Sequence, residues 1–187
     1  MSRNVTVDLF VSVDSWAGSD GLPAYFGYDG PELQDWIQAE SDVPEVQLMG
    51  RVTFEALSGL PDEVRDEGWE RMQQREKVIF SRTMTDAGWP NSRISTDLMG
   101  DVRAMRAGDG PRLRTIGSLS LARQLISERL VDSLRLMVFP LLAGPSGRES
   151  AFRDVESAEL ELADHRLLDG RVLLLEYLPT GQDIPRT

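Results

Sequence analysis

The feature that most constrains this chain is the alternation of short apolar runs with helical patterns over residues 5–139. In residues 5–13 an apolar side chain occupies every second position, which is the period of a β-strand. Similar short runs follow, with helical spacing between them, at 46–49, 77–81, 93–95, 113–116 and 133–139. Because strands joined by helices usually pair in parallel, the alternation predicts a mainly parallel α/β sheet.

The C-terminal part of the chain departs from this alternation. Leu160 and Leu162 alternate with acidic residues, Asp169-Gly170 is a hairpin turn signal, and residues 172–178 form a strongly apolar strand. We therefore predict an antiparallel hairpin at one edge of the sheet. No repeat or linker divides the chain, so we expect one domain over residues 1–187 with its core at about 5–178.

A local signal marks both ends of one predicted helix. Asp97 precedes Leu98, Val102 and Met105, which have helical spacing, and Gly108 follows them. An aspartate before a helix accepts hydrogen bonds from its first amides, and glycine commonly ends a helix. The pattern predicts a helix that is capped by Asp97 and ends at Gly108.

Composition excludes several classes of function. The chain has 31 acidic and 20 basic residues, a net charge of −11, which disfavours binding to nucleic acid or to an anionic membrane. It contains no cysteine, so disulfides and thiolate chemistry are excluded. The sequence shows neither a secretory signal nor an apolar run long enough to span a membrane, and we expect a cytoplasmic protein.

Several common catalytic sites are also missing from the sequence. His165 is the single histidine, no G-x-S-x-G elbow is present, and no G-x-G-x-x-G follows a strand. The acidic residues of 62–70 have the spacing of a solvated helix face rather than of a metal site. We therefore expect no metal, and we favour a chemistry in which a bound organic cofactor performs the difficult step.

Three predicted strands end in short polar segments that suit an anion. Each carries glycine, hydroxyl or arginine groups at the point where a helix or loop begins: 50–53, 81–83 and 117–119. Helix N-termini attract phosphate, and arginine binds it with a planar fork. Taken singly, the segment at 50–53 fits a tight turn as well as an anion site. For 117–119 a plain turn is the better interpretation, and for 81–83 a surface loop is the commoner explanation.

A long loop follows the first strand. It combines four glycines with the aromatic residues Trp16, Tyr25, Phe26 and Tyr28. A loop of this length is commonly functional, and we expect a lid over a site. Asp14, at the start of the loop, is either a proton-handling or water-positioning group or a cap for the glycine turn.

Several motifs recur in one order and together resemble a known family. They are VDLFVSVDSWAG at 7–18, LMGRVTFE at 48–55, KVIFSRT at 77–83, IGS at 116–118, LVD at 130–132 and FPLLAG at 139–144. This series resembles dihydrofolate reductases. It resembles more closely the C-terminal reductase domain of the bifunctional riboflavin-biosynthesis deaminase/reductase, here as a stand-alone chain.

The resemblance implies a dihydrofolate-reductase-like fold, with a mainly parallel eight-stranded sheet, flanking helices and an antiparallel C-terminal hairpin. It implies NADPH as the cofactor and hydride transfer to a pterin-, pyrimidine- or flavin-precursor-like heterocycle. The cofactor-binding residues it implies are Ser12, Trp16, Ala17, Gly18, Gly50, Arg51, Thr53, Ser81, Arg82, Thr83, Gly117, Ser118 and Leu119. Among them, Arg82 is the candidate for the 2′-phosphate.

On the substrate side, residues 31–41 are predicted to be a helix that buries Leu33 and Trp36. Aligning Trp36 with the family's helix tryptophan places Leu33 where dihydrofolate reductases carry the acid that binds the pterin. Glu32 lies next to it and is the second catalytic candidate after Asp14. We expect a substrate pocket that includes Phe26, Leu33 and Trp36.

Two alternatives to a reductase remain open from the sequence. The chain could be a non-catalytic nucleotide-binding module of the same fold, since the substrate acid is displaced. It could also serve as an interaction protein, with edge strands that form a dimer. The apolar strands at 136–139 and 173–175 are expected to pair across a two-fold axis, as the resemblance suggests. Dimerisation is compatible with catalysis, and we predict both.

Overall fold

A computed structural model describes residues 2–22 and 24–182 and places eight strands in one sheet, in the order β4-β3-β2-β5-β1-β6-β8-β7. The strands are β1 (Val5–Ser12), β2 (Glu45–Gly50), β3 (Glu76–Phe80), β4 (Ser92–Ser95), β5 (Arg112–Thr115), β6 (Ser133–Phe139), β7 (Leu160–Leu168) and β8 (Val172–Pro179). Strands β1 to β6 pair in parallel, whereas β8 pairs antiparallel with β6 and with β7. The predicted mainly parallel sheet with a C-terminal hairpin is confirmed.

Five α-helices flank the sheet within the described residues: α1 (Pro31–Asp42), α2 (Arg51–Ser58), α3 (Glu67–Gln74), α4 (Leu98–Ala107) and α5 (Leu119–Ser127). Helices α4 and α5 pack on one face, where the core is aliphatic. Helices α1, α2 and α3 pack on the other face, where the apolar contacts are rich in aromatic and methionine side chains. None of these helices is both long and apolar enough to cross a membrane.

The predicted local signals have the expected geometry. Asp97 accepts a hydrogen bond from the N–H of Gly100 at 2.9 Å, and α4 ends at the residue before Gly108. Asp169 and Gly170 join β7 to β8 with φ angles of 50° and 65°. Two consecutive left-handed residues define the tight hairpin turn that favours the Asp-Gly pair.

Candidate functional site

The candidate site lies at the edge of the sheet where the parallel strands end. Strands β1 and β2 are separated by β5, because the chain leaves β1, builds β2 to β4 on one side and then returns to fill the gap. In open α/β sheets, ligands bind outside the carboxyl ends of the strands at such a reversal of direction. The loops that follow β1, β2 and β5 all leave the sheet at this edge.

Two helices begin at this edge without a side-chain cap. The N-termini of α1, α3 and α4 are capped by the carboxylates of Asp169, Asp66 and Asp97. By contrast, among the residues that the structure describes, no side chain caps α2 after Gly50 or α5 after Ser118. The uncapped amides and the positive ends of two helix dipoles therefore coincide at one place, which suits an anion.

A short chain of hydrogen bonds joins these two helix N-termini. The N–H of Gly50 donates to Ser118 Oγ at 2.7 Å, and Ser118 Oγ donates to Thr53 Oγ1 at 2.8 Å. Gly117 has a φ of 57°, and a Cβ there would lie 3.1 Å from the Thr53 side chain. The structure therefore brings together Gly50, Thr53, Gly117 and Ser118, while half-buried Leu119 begins α5.

The two arginines predicted to contact the cofactor differ in their surroundings. Arg51 is exposed on the first turn of α2 and forms an ion pair with Glu55 at 2.7 Å. Arg82 follows β3 in an exposed turn, where the N–H of Thr83 and the N–H of Met84 donate to Ser81 Oγ at 3.2 and 3.0 Å. Within residues 2–22 and 24–182 the Arg82 guanidinium has no hydrogen-bond or ion-pair partner, so it is available to an anion.

Asp14 joins the loop after β1 to the segment after β6. The Ser12 hydroxyl donates to Asp14 Oδ1 at 2.6 Å, and the N–H groups of Ala143 and Gly144 donate to its two oxygens at 2.9 and 2.8 Å. These bonds, led by that from Ser12, lower the pKa of Asp14 to about 2. The carboxylate is ionised at neutral pH, so the geometry favours the alternative that it caps the loop over the alternative that it donates a proton.

The residues that follow Asp14 form a ribbon with the segment after β6. The N–H of Ala17 donates to Glu149 O at 2.9 Å, and the N–H of Arg148 donates to Gly18 O at 3.0 Å. The Trp16 ring lies against Gly147, where a Cβ would come within 2.2 Å of a ring atom. The expected lid is thus hydrogen-bonded along its first part to a neighbouring loop. Only glycine fits at position 147, opposite the Trp16 ring.

The predicted substrate-pocket residues pack together where the loop after β1 meets α1. Phe26 contacts Phe139 at 5.5 Å between ring centroids, within an aromatic cluster that we define as Phe10, Tyr25, Phe26, Tyr28 and Phe139. Trp36 of α1 contacts Phe10 at 6.5 Å and is largely buried. Leu33 has no exposed surface, so it supports these rings from behind and offers no atom to a ligand in this structure.

Glu32, the second catalytic candidate, bonds to the β7–β8 turn. Its carboxylate accepts a hydrogen bond from the N–H of Asp169. In return, the Asp169 carboxylate accepts from the N–H of Glu32 at 3.0 Å and from the N–H of Leu33 at 3.1 Å. This reciprocal cap occupies Glu32 with a structural contact. From the sequence, Asp169 was predicted only as a turn residue. Gly30 has no side chain that could cap α1, and this was a signal that another group caps the helix.

A buried group of charges on the α1 face of the sheet was not predicted from the sequence. Asp8 of β1 accepts hydrogen bonds from Arg114 of β5 at 2.6 Å and from Arg135 of β6 at 2.7 Å. Glu45 and Glu40 extend the group through further ion pairs. A signal existed, since a charged residue interrupts the apolar alternation in each of three central strands. None of the described residues forms a group of three or more His, Asp or Glu side chains that could hold a metal.

Known proteins are similar to this chain in sequence or in fold. The family model described as the RibD C-terminal domain matches residues 3–174. No curated protein matches the chain. A candidate riboflavin biosynthesis protein from Shewanella sp. PV-4 superposes with a TM-score of 0.67 at 17% identity, covering 96% of this chain and 99% of its own. A pyrimidine reductase-like protein from Corynebacterium diphtheriae superposes with a TM-score of 0.67 at 15% identity, covering 95% and 92% respectively. These similarities confirm the predicted dihydrofolate-reductase-like fold.

Proposed function

The chain belongs to the RibD C-terminal domain family, and from this premise we propose that it is an NADPH-dependent reductase of a small heterocyclic substrate. The observation that carries the proposal is the meeting of the two uncapped helix N-termini at Gly50 and Ser118. A dinucleotide pyrophosphate is the kind of anion that such a pair of helix ends accommodates. When bound, NADPH supplies a hydride to the substrate.

The residues of this chain fit such a cofactor. Gly50 and Gly117 leave backbone accessible to the pyrophosphate, while Thr53 and Ser118 fix the two helix ends relative to each other. Arg82, exposed and free of partners in the described chain, would hold the 2′-phosphate, with Ser81 and Thr83 beside it. Ser12, Trp16, Ala17 and Gly18 would border the nicotinamide.

On the substrate side, the aromatic cluster offers flat apolar surface for a pterin-, pyrimidine- or flavin-precursor-like ring. Asp14 would act as a positioning residue, since its two oxygens hold the backbone of Ala143 and Gly144 at the edge of the site. Loops held in this way exclude water and orient a bound ring.

The first test is a fluorescence titration with NADPH and with NADH. We expect NADPH to bind more tightly than NADH. Arg82→Ala should weaken NADPH binding by about tenfold, the size of one charge-assisted contact, and leave NADH unchanged. Arg51→Ala should have a smaller effect because Glu55 already neutralises Arg51. Arg103→Ala, which removes an exposed arginine of α4, is the matched control. Failure of wild type to bind NADPH would refute the proposal.

A non-catalytic nucleotide-binding module is the second candidate. It is favoured by one observation, that Asp14 and Glu32 both use their carboxylates to bind backbone N–H groups. The two candidates differ in turnover. NADPH oxidation in the presence of a pterin, pyrimidine or flavin-precursor panel supports the reductase, and NADPH binding without turnover of any member supports the module.

We also propose that the protein forms a homodimer, through the face of the β7–β8 hairpin. The strands expected to pair across the interface, β6 and β8, each have a neighbour on both sides in the sheet, so neither offers a free edge. Leu162 and Leu167 of β7 lie opposite Tyr177 and Leu173 of β8, and the three leucines are 49%, 60% and 36% exposed. A contiguous apolar patch of this kind commonly marks an interface. Sedimentation should show a dimer at micromolar concentration and a monomer for Leu167→Glu. Location in the cytoplasm stays a prediction from the sequence.

A further inference from the structure

Tyr25 has an unusual position in the loop that follows β1. Its ring is half-buried between Phe10, at 5.1 Å in an edge-to-face contact, and Phe139, at 6.4 Å in a stacked contact. Its backbone has φ 53° and ψ 26°, and the next residue, Phe26, is left-handed as well. This conformation is unfavourable for bulky residues, and such positions are concentrated at ligand sites.

The hydroxyl of Tyr25 is the polar group of the aromatic cluster that has no structural role in the described chain. In the nearby Tyr28, the hydroxyl donates to the carbonyl of Pro140 at 3.3 Å. Across residues 2–22 and 24–182, the Tyr25 hydroxyl has no hydrogen-bond partner, although its ring is packed on two sides. Phenol groups in a packed setting usually find a partner. A phenylalanine would make the same ring contacts.

The two rings that hold Tyr25 lie near the carboxyl ends of β1 and β6, which is the edge of the sheet where the candidate site lies. The charges of Arg114 and Asp66 act on the phenol from a greater distance than these rings. Burial raises the pKa of Tyr25 above its ordinary value, opposed by Arg114 and assisted by Asp66, so the phenol keeps its proton at neutral pH.

We propose that the Tyr25 hydroxyl donates a hydrogen bond to the substrate and selects flat rings that carry an acceptor, such as a ring carbonyl. The inference rests on the proposed function, because it assigns one residue of the substrate side of the same site. Asp14 and Glu32 accept hydrogen bonds from the chain itself, whereas Tyr25 offers a donor that the described chain leaves unused. The hydroxyl oxygen is not fully buried, so a ligand can reach it, and a ring that covers it without offering an acceptor leaves the donor unpaired and binds less tightly.

The test measures ligand binding rather than turnover. Calorimetry on the NADPH-saturated protein compares two flat probes of similar shape: quinazoline-2,4-dione, which has two carbonyl acceptors, and naphthalene, which has none. The variants are Tyr25→Phe, which removes only the hydroxyl under test, and Tyr177→Phe, which removes the hydroxyl of a tyrosine on β8 that packs against the aliphatic core outside the aromatic cluster. NADPH affinity is measured first on each variant, and the thermal midpoint verifies folding.

We expect Tyr25→Phe to weaken the dione by roughly five- to tenfold, the effect of one hydrogen bond, and to leave naphthalene and NADPH unchanged within about twofold. Tyr177→Phe should leave the affinity for both probes unchanged. Equal dione affinity in wild type and Tyr25→Phe would overturn the inference, as would an equal loss in Tyr177→Phe or no dione binding to wild type. If NADPH still binds in those cases, the cofactor part of the proposed function stands. Failure of wild type to bind NADPH would overturn both the inference about Tyr25 and the proposed function.

Discussion

On the face of the sheet covered by α4 and α5, β1 contributes Val7 and Leu9, whereas on the face covered by α1 the same strand contributes Asp8 and Phe10. The first face is filled by aliphatic side chains that need only shape and volume. The second combines a buried charge group with aromatic rings, and every charged atom there needs a partner. The contrast indicates that the α4/α5 face contributes stability through packing alone. A substitution on the α1 face should lower the free energy of unfolding more, because it leaves buried charges without partners.

The largest expected effect comes from breaking the charge group. Asp8→Ala leaves Arg114 and Arg135 without their shared carboxylate in a buried setting, and should lower the free energy of unfolding by about 3–5 kcal/mol. Urea denaturation at pH 7 measures the change. Asp8→Asn, which keeps an acceptor, should cost less than Asp8→Ala; if both variants are as stable as wild type, the charges are not coupled through Asp8.

The neighbouring residue on the aliphatic face gives the matched comparison. Leu9 is 3% exposed, and Leu9→Ala should lower the free energy of unfolding by about 3 kcal/mol through lost burial and a residual cavity. Leu9→Met, which keeps the volume, should cost less than about 1.5 kcal/mol. A larger loss for Leu9→Ala than for Asp8→Ala would reverse the proposed contrast between the faces.

Lowering the pH should destabilise the α1 face through its carboxylates, with an effect of intermediate size on the free energy of unfolding. Burial alone would raise the pKa of Glu40, but hydrogen bonds and charges from Arg135 and Arg112 lower it from 4.5 to about 2. Because the folded pKa is depressed, this stabilisation is fully present above about pH 4.5 and is lost as the pH falls through about 2. The contribution is about 2 kcal/mol.

The measurement is the free energy of unfolding of wild type minus that of Glu40→Gln, followed from pH 5 to pH 2.5. This difference should shrink as the pH falls. Asp42→Asn removes an exposed carboxylate from the same helix and should show no such trend. A difference that is independent of pH would mean that Glu40 is not coupled to the buried arginines.

The smallest expected effect lies on the surface of α2. Glu55→Gln breaks the exposed pair with Arg51 and should change the free energy of unfolding by less than about 0.5 kcal/mol. The same change should slightly strengthen NADPH binding, because Arg51 becomes free. Denaturation and fluorescence titration measure the two effects. A loss of more than 1 kcal/mol, about twice that limit, would show that this pair belongs with the buried charges rather than the surface.

Much of the fold could be predicted because its signals are short in range. The alternating residues of β1, the helical spacing of 31–41 and the turn at Asp169-Gly170 each depend on neighbours in the sequence. Parallel pairing then places the carboxyl ends of these strands at one edge, and the glycine-rich junctions lie at that edge in the structure. The contact between Gly50 and Ser118 could not be predicted, because it joins residues 68 positions apart.

Two helix caps show what the sequence determined by itself and what the tertiary structure decided. Asp97 caps α4 through an amide three residues away, so its role follows from local backbone geometry and was predicted. Asp169 caps α1 across 137 residues. Its place in the turn follows from the sequence alone, whereas its partner is decided by the packing of α1 against the hairpin. The same applies to Asp8, whose charge was visible in the sequence. Its two arginines became its partners only when the strands were placed side by side.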